Sequence, residues 1–437
     1  MLKVVARPVV RLVERYLPDA YIFVLLLTLI AAGAAMLVEG QSPMAVLRVW
    51  GGGFWGLLSF SMQMLMVLVS GYLLASSPPV RRGLTALARL AGTPGRAILM
   101  VTLVSLMASW INWGFGLVIG ALFARALARE IRVDYRLLIA SAYSGFVVWH
   151  GGLAGSIPLT IATPGHFTAD RIGVIPTSET LFSFYNLAIL AALFVIMPLV
   201  NRAMMPDERD IVLVTPEQLA EPEPVAGKDA SLPAERLENS PWLSWLVGIP
   251  GVLYLVVYFI VDGGGLNLNS VNFLFLFLAM VLHRTPRNLL NSLTEAIKGG
   301  AGIVIQFPFY AGIMAIMVES GLAQSLSELF VSIADADTLP FWSFLSAGLV
   351  NLFVPSGGGQ WAVQAPVMLP AAQALGADVG RVAMGVAWGD AWTNLLQPFW
   401  ALPVLAIAGL GARDIMGFCM IHLVITGVVI GAGLTFL

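Results

Sequence analysis

The sequence predicts an all-α polytopic membrane protein whose two halves form an inverted repeat with two re-entrant hairpins and two discontinuous helices. Three observations favour this fold class: long apolar segments recur along the chain, several contain helix-breaking residues at their middle, and those breaks recur at a fixed offset. The 437 residues are 58% hydrophobic and 11% charged, with a mean hydropathy of +0.87. One water-soluble core could not bury so much apolar surface, so most of it must meet lipid.

Composition argues against several other classes of protein. The 23 basic and 25 acidic residues nearly balance, so no net field favours nucleic acid. Cys419 is the single cysteine, which excludes disulfides within the chain and cysteine-ligated metals. The 4 histidines are scattered, and the chain has no G-x-S-x-G, H-E-x-x-H or Walker A motif, so an enzyme is not expected. We expect no cofactor, no metal apart from a coupling Na⁺, and no nucleic-acid partner.

Residues 1–18 predict an interfacial amphipathic helix. Basic residues recur there at every fourth position, on one helical face, with apolar residues between them. They are Lys3, Arg7, Arg11 and Arg15. The apolar run 20–38 that follows is longer than the core of a cleaved leader, so we interpret it as a retained membrane span.

The chain divides into two membrane halves. Residues 19–200 form the first repeat, and residues 266–437 form the second, inverted repeat. Between them lie a polar, Pro- and Glu-rich cytoplasmic linker at 201–241 and a connecting transmembrane helix at 242–265. The apolar segments are 20–38, 54–76, 97–124, 137–162, 180–200, 242–261, 266–282, 300–320, 339–374, 382–411 and 414–437.

The positive charges predict the orientation. Gly, Pro or Asn interrupts segments 97–124 and 339–374, and the backbone groups bared there need a protein-lined interior rather than lipid. If both segments are re-entrant hairpins and the N-terminus is cytoplasmic, only Arg48, Arg171 and Arg381 fall outside. A spanning 97–124 segment would place four arginines outside, so we favour the hairpins.

An internal repeat supports this arrangement. Asn112 and Trp149 are 37 residues apart, and so are Asn351 and Trp388. The offset between the two pairs is 239 residues. In each pair an interrupted segment precedes a second segment that is broken by glycine and polar residues, as in transporters that hold substrate between inverted repeats.

The two hairpin tips predict an anion site. Breaks at mid-membrane expose N–H groups and the positive end of a helix dipole, which suit a carboxylate. The alternative is that the glycines only allow close helix packing. Because the breaks match between the halves, we favour binding. The candidate residues are Asn112, Trp113, Gly114 and Gly116 in the first tip, and Asn351, Ser356, Gly357, Gly358, Gly359 and Gln360 in the second.

Other side chains near the breaks extend this candidate site. Ser156 and Thr163 would donate to a carboxylate, although such hydroxyls commonly bond their own backbone. Four tryptophans that flank the motif glycines are candidates to wall an apolar slot for an acyl chain. They are Trp113, Trp361, Trp392 and Trp400.

Asp390 predicts a coupling-ion site. It is the only acidic residue deep in a predicted span, where a charge costs about 2.5–3.5 kcal/mol. Thr393, Asn394 and unwound carbonyls would complete a site for Na⁺, or the carboxyl would carry H⁺. The alternative is that Asp390 caps the broken helix. His150 and Gln397 lie in the same breaks and are weaker candidates, since a lone buried histidine is as often structural.

At these motifs the sequence resembles the short-chain fatty acid transporter family. The resemblance runs nearly end to end and implies uptake of short-chain carboxylates across the bacterial inner membrane. It also implies an elevator-type homodimer, in which a substrate-binding domain moves against a dimerising scaffold. Compared with the family pattern, His150, Asp390 and Gln360 are departures, although Asp390 keeps the acid. The matching motifs are RYLPDA at 15–20, WGGGFW at 50–55, LASS at 74–77, INWGFGLV at 111–118, ATPG at 162–165, QFPFYAGI at 306–313, VPSGGG at 354–359 and QPFWALP at 397–403.

Together these features predict a secondary active transporter of short-chain fatty acids such as acetate, butyrate and acetoacetate-like monocarboxylates, coupled to H⁺ or Na⁺. Two alternatives stay open: a facilitator or channel for small carboxylates, and an ion-coupled transporter or exchanger of another small anion such as a C4-dicarboxylate. The expected partners are a small carboxylate, the lipid bilayer and a second copy of the chain in a homodimer.

Overall fold

The computed structural model describes residues 20–219, 232–352, 354–396 and 400–437. Regular structure within these ranges is entirely helical, so the predicted all-α class is confirmed. The amphipathic helix predicted at 1–18, the middle of the linker and Gln397 lie outside the described residues.

Half of the ten helices that the structure describes in the first half begin at proline or behind a capping side chain. Thr93 caps its helix by accepting a hydrogen bond from the Arg96 amide at 3.3 Å, and proline follows it directly. A 3₁₀ helix, Gly145–Gly151, lies between α7 and α8. The helices are α1 (Ala20–Leu37), α2 (Pro43–Gly53), α3 (Leu58–Ser76), α4 (Pro78–Ala88), α5 (Pro94–Ile111), α6 (Trp113–Glu130), α7 (Tyr135–Ser144), α8 (Ser156–Ile161), α9 (Ala169–Ile172) and α10 (Phe184–Ala203).

The linker and the second half continue this pattern. A short 3₁₀ helix, Glu208–Asp210, precedes two short linker helices, α11 (Pro216–Leu219) and α12 (Pro233–Glu238). The remaining helices are α13 (Pro241–Ile260), α14 (Leu268–His283), α15 (Pro286–Ser320), α16 (Leu322–Ile333), α17 (Leu339–Val350), α18 (Gly357–Leu375), α19 (Val379–Thr393), α20 (Ala401–Ala408) and α21 (Ala412–Phe436).

Within the described ranges, 7 helical stretches are long and apolar enough to cross a membrane. In Tyr135–Ile161, 94% of the most apolar window is buried, whereas in Pro233–Ile260 only 22% is buried. The first stretch therefore lies in the interior of the protein, whereas most of the second lies on its surface. The others are Leu58–Ser76, Pro94–Ile111, Phe184–Ala203, Pro286–Ser320 and Ala412–Phe436. The chain is a multi-pass membrane protein.

The helices pack as two bundles, and each bundle draws on both halves of the chain. The scaffold bundle comprises α1–α3 and α13–α15, whereas the core bundle comprises α5–α8, α10 and α17–α21. Helices α4 and α16 occupy matching positions in the two halves and contact both bundles. The two bundles meet mainly where α3 packs on α6 and α15 packs on α18.

Both interrupted segments fold back on themselves. Helices α5 and α6 reverse at Asn112, so that Gly116 faces Ser109 and Gly120 faces Ser105. Helices α17 and α18 reverse in the same way, since Gln360 Nε2 donates to the Ala347 carbonyl at 2.8 Å. Both segments are thus helical hairpins, and their re-entrant placement in a membrane stays a prediction. The breaks predicted at 149–158 and 388–398 are also present, as the 3₁₀ helix and loop at 145–155 and as the end of α19 at Thr393.

Two regions differ from the expectation. Helix α15 begins at Pro286, well before the predicted segment 300–320, because Thr285 caps it and an apolar stripe continues through Leu289 and Leu293. The described start of the linker is held against the rest of the protein by hydrogen bonds. The Val212 amide donates to Asp134 Oδ2 at 2.8 Å, and the Gln218 side chain donates to the Gly409 carbonyl at 3.0 Å.

Candidate functional site

The N-terminus of α18 is built from three glycines that each face a different large side chain. A β-carbon at Gly358 would lie 2.8 Å from Phe60 Cζ, and one at Gly359 would lie 2.6 Å from Tyr310 Cδ2. At Gly357 it would overlap His150 Nε2. Ser356 precedes the helix but makes no capping hydrogen bond with its side chain. The first-turn N–H groups of α18 have no acceptor within the helix, so they can donate to another group.

The tip of the first hairpin is closed by its own side chain. Asn112 is fully buried, and its Oδ1 accepts a hydrogen bond from the Phe115 amide at 2.9 Å, which caps α6. Gly71 of α3 packs directly against Asn112, and a β-carbon at Gly114 would lie 3.0 Å from the Leu68 backbone. The tip is thus wedged against the scaffold bundle.

His150 connects the two halves at the centre of the core bundle. Its Nδ1 lies 2.6 Å from the Ala387 carbonyl oxygen, which can only accept, so Nδ1 carries the proton of the neutral ring. Nε2 is buried, has no partner among the described residues, and points at Gly357. The ring thus presents one open nitrogen to the start of α18.

Aromatic rings from both halves surround this histidine. Trp113 lies 5.8 Å from Trp149 and 5.1 Å from Trp400 between ring centroids, and Trp149 stacks on Phe146. Trp149 also borders Gly357. Trp113 and Trp400, two of the predicted slot residues, therefore meet at the site. Trp392 instead packs toward α21, where its Nε1 donates to the Leu423 carbonyl at 2.7 Å.

Four of the predicted residues converge on the break after α19. Asn351 Nδ2 donates to the Asp390 carbonyl at 3.0 Å and to Thr393 Oγ1 at 2.9 Å. Asn394 Nδ2 donates to the same carbonyl at 2.7 Å and to Asp390 Oδ1 at 3.3 Å. Asp390 is fully buried. These hydrogen bonds tie the end of α17, the first arm of the second hairpin, to Asp390 on α19.

This cluster leaves several oxygens without donors. Asp390 Oδ2, Asn351 Oδ1 and Asn394 Oδ1 are buried and accept no hydrogen bond from the described part of the chain, and the same holds for Gln360 Oε1 on α18. The donations from both asparagine Nδ2 atoms and from Gln360 Nε2 fix which amide atom is oxygen. Unpaired buried acceptors cost free energy, and a cation or a proton would remove that cost. Oxygen ligands of this kind suit a hard cation such as Na⁺ rather than a transition metal.

Two other predicted residues, Thr163 and Ser156, lie at α8 and the turn after it. The Thr163 hydroxyl donates to the Leu159 carbonyl at 2.6 Å and accepts from the Leu268 amide at 3.2 Å, so it ties α8 to the start of α14. Ser156 is buried at the start of α8. Gln397 lies outside the described residues.

Sequence reasoning missed three residues that border the site. Phe60 and Tyr310 pack on the α18 glycines from the scaffold bundle, and the Tyr310 hydroxyl donates to Gln306 Oε1 at 3.1 Å. Asn186 accepts from Trp388 Nε1 at 3.0 Å and donates to the Gly151 carbonyl at 3.1 Å. The offset of 239 residues pairs Tyr310 with Gly71, and that relation was available from the sequence.

Two bundles of membrane helices, joined where hairpin tips meet buried polar residues, define a polytopic transporter fold. Two solved structures share it. The YdaH transporter of Alcanivorax borkumensis matches with a TM-score of 0.58 at 16% identity, covering 95% of this chain and 98% of that one. MtrF of Neisseria gonorrhoeae, described as illuminating a class of antimetabolite efflux pumps, matches with a TM-score of 0.51 at 16% identity, covering 98% and 97%. At this identity the likeness shows the fold alone.

Sequence relatives are much more similar. A family model described as short chain fatty acid transporter matches residues 1–437, so the chain belongs to that family. A relative from Escherichia coli strain K12 is 47% identical over 435 residues, covering 99% of both chains. One from Haemophilus influenzae is 44% identical over 449 residues, covering 100% of both. Both carry the provisional name of short-chain fatty acid transporter. The family resemblance is confirmed, and the protein is a transporter rather than an enzyme.

Proposed function

We propose that this chain takes up short-chain fatty acids across the bacterial inner membrane as a secondary active transporter coupled to H⁺ or Na⁺. The observation that carries the proposal is the set of buried, unpaired oxygens around Asp390, next to a hairpin whose glycine-rich helix start faces inward. A cation at the oxygens and a carboxylate at the helix start have complementary charges.

The carboxylate is proposed to bind at the first turn of α18. The first-turn N–H groups of Gly357 to Gly359, which have no acceptor within the helix, and the positive end of the helix dipole favour an anion there. His150 Nε2 borders the same turn, and in its protonated form it would donate to a carboxylate oxygen. The adjoining Trp113, Trp149 and Trp400 rings would contact the acyl chain.

The cation is proposed to bind at Asp390, Asn351, Thr393 and Asn394. His150 supplies the link between the two sites, because its Nδ1 holds the Ala387 carbonyl one helical turn before Asp390. Binding of the anion and the cation would therefore order the same segment of α19. Burying the pair together costs less than burying either charge alone, which is the physical basis for obligatory cotransport.

Packing between the bundles supports an elevator-type movement. The core bundle meets the scaffold through glycines, at Gly71 and Gly114 on one side and Gly358 and Gly359 on the other. Glycine on one side of each contact lets the backbones of the two bundles approach closely, and the Phe60 and Tyr310 rings fill the space at Gly358 and Gly359. We propose that the scaffold bundle forms the homodimer and that the N-terminus is cytoplasmic.

Uptake by proteoliposomes tests the coupling. Asp390→Asn keeps the shape of the side chain but removes its charge, and we expect it to abolish uphill butyrate accumulation driven by imposed H⁺ or Na⁺ gradients. Asp262→Asn, at an exposed loop position, is the matched control and should transport normally. Concentrative uptake by well-folded Asp390→Asn protein would overturn the coupling role. Butyrate equilibration in the native protein that no ion gradient can drive uphill would instead favour the facilitator.

A further inference from the structure

A cavity with a volume of ≈ 330 Å³ lies between the core bundle and the scaffold bundle. Its scaffold wall is the part of α15 that contains Met314 and Val318. Its opposite wall comprises α18 of the core bundle, together with α9 and the loop before it. A volume of this size suits a small organic molecule. We call this feature the interbundle cavity.

Two aromatic rings separate the interbundle cavity from the start of α18. Phe167 lines the cavity, and its ring centroid lies 5.4 Å from that of Phe60. Phe60 packs against Gly358 in the first turn of α18. Ala365 and Leu369 line the cavity further along the same face of this helix. A molecule in the cavity is therefore next to the proposed anion site, with the Phe167 and Phe60 rings between the two.

The interbundle cavity combines aliphatic surface with three exposed charged side chains. The aliphatic surface comes from α15 and α18 and includes Met314 and Leu369. Arg171 and Asp170 lie on α9, and Glu319 lies on the facing wall, α15. In the part of the chain that the structure describes, the Arg171 guanidinium forms no ion pair and no side-chain hydrogen bond. It can therefore donate to an anion in the cavity.

We propose that the interbundle cavity is a vestibule that selects monocarboxylates over dicarboxylates, a role that rests on the proposed function. Arg171 is one of the three arginines that the charge pattern predicts on the outer side, where uptake begins. It attracts the carboxylate, while the aliphatic side chains contact the hydrocarbon tail. An acid with a second carboxylate must place that charge near Asp170 or Glu319, which repel it.

Competition for butyrate uptake in proteoliposomes tests the role of the two acids. Succinate should inhibit native protein weakly. Asp170→Asn with Glu319→Gln should strengthen inhibition by succinate about threefold, the size expected for charges at exposed positions. Glu179→Gln with Asp262→Asn is the matched control, because these two acids are also exposed but do not line the cavity. The control should keep the native inhibition.

The concentration dependence of butyrate uptake tests Arg171. Arg171→Gln should raise the KM for butyrate about threefold, because a charge at the edge of a site acts mainly on the association rate. Arg48→Gln is the matched control, since Arg48 is an exposed arginine on α2 that does not line the cavity. It should keep the native KM.

The outcomes separate the vestibule from the proposed function. Native protein that takes up no butyrate would refute the proposed function and the vestibule with it. Normal native uptake would leave the function standing, and the vestibule would then be overturned by either of two results. One is unchanged succinate inhibition in the double acid variant, and the other is an unchanged KM in Arg171→Gln. Strong inhibition of native protein by succinate would also overturn the proposed selectivity.

Discussion

The two hairpin tips share a fold but differ in how their helix starts are satisfied. Asn112 caps α6 with its own side chain, whereas Ser356 leaves the start of α18 uncapped and three glycines follow it. In a water-filled site the difference would be small, because water would replace the cap. In a buried site the uncapped start needs another acceptor. The comparison indicates that the proposed anion site is asymmetric and belongs mainly to the second repeat.

The broken helices differ in a complementary way. At the offset of 239 residues, Asp390 corresponds to Gly151 and Gly389 corresponds to His150. Each repeat therefore supplies one ionisable side chain where the other has glycine. Gly71 and Tyr310, which also correspond at this offset, differ in size in the same manner. Gly71 leaves space for Asn112, whereas Tyr310 fills the space next to Gly359. The two repeats thus share an arrangement of helices, and the positions at which they differ provide the ionisable side chains.

Adding a methyl group to the second tip should have the largest effect, and that effect is on butyrate uptake. Gly357→Ala places a β-carbon onto His150 Nε2, so we expect butyrate uptake to fall at least about tenfold, because positioned binding groups tolerate little displacement. Gly51→Ala is the matched control, since a β-carbon there meets nothing within 4 Å. Initial uptake rates in proteoliposomes measure the difference. Equal rates for both variants would show that the α18 start does not bind substrate.

Removing the polar side chain at each tip should affect stability unequally. Asn112→Ala loses a helix cap, which typically costs about 1 kcal/mol, and should lower the unfolding temperature. Ser356→Ala removes no capping bond and should leave that temperature nearly unchanged. Thermal unfolding of both variants in one detergent measures the contrast. A larger loss for Ser356→Ala would contradict the capping difference on which the asymmetry rests.

Much of the frame was predictable from residue patterns alone. Apolar length predicted the membrane helices, and Asn112 and the glycines at 357–359 predicted both reversals, because helix breaks in apolar segments have few other causes. Helices α4 and α16 were missed because they are short and polar on one side. The contacts of Phe60 and Tyr310 with α18 were missed because they join residues far apart in sequence, and only packing brings such residues together. Likewise, the open nitrogen of His150 depends on its bond to Ala387 in the other repeat.

The smallest expected effect concerns the loop after α8, which has a histidine outside the membrane-spanning segments. His166 Nε2 lies 2.9 Å from the Gly173 carbonyl, and Nδ1 accepts from the Thr168 amide at 3.3 Å. Protonation of Nδ1 would break the second bond, and burial lowers the pKa of His166 below its ordinary value.

Because the unfolded chain binds this proton more readily, the contribution of His166 to stability is present above the ordinary histidine pKa and declines as pH falls through and below it. We expect His166→Gln to flatten this part of the pH dependence of the unfolding temperature without changing butyrate uptake at neutral pH. The partly exposed ring limits the effect to a small one. An unchanged pH dependence in the variant would show that protonation of His166 does not loosen the loop, whereas a changed uptake rate would connect this loop to the transport cycle.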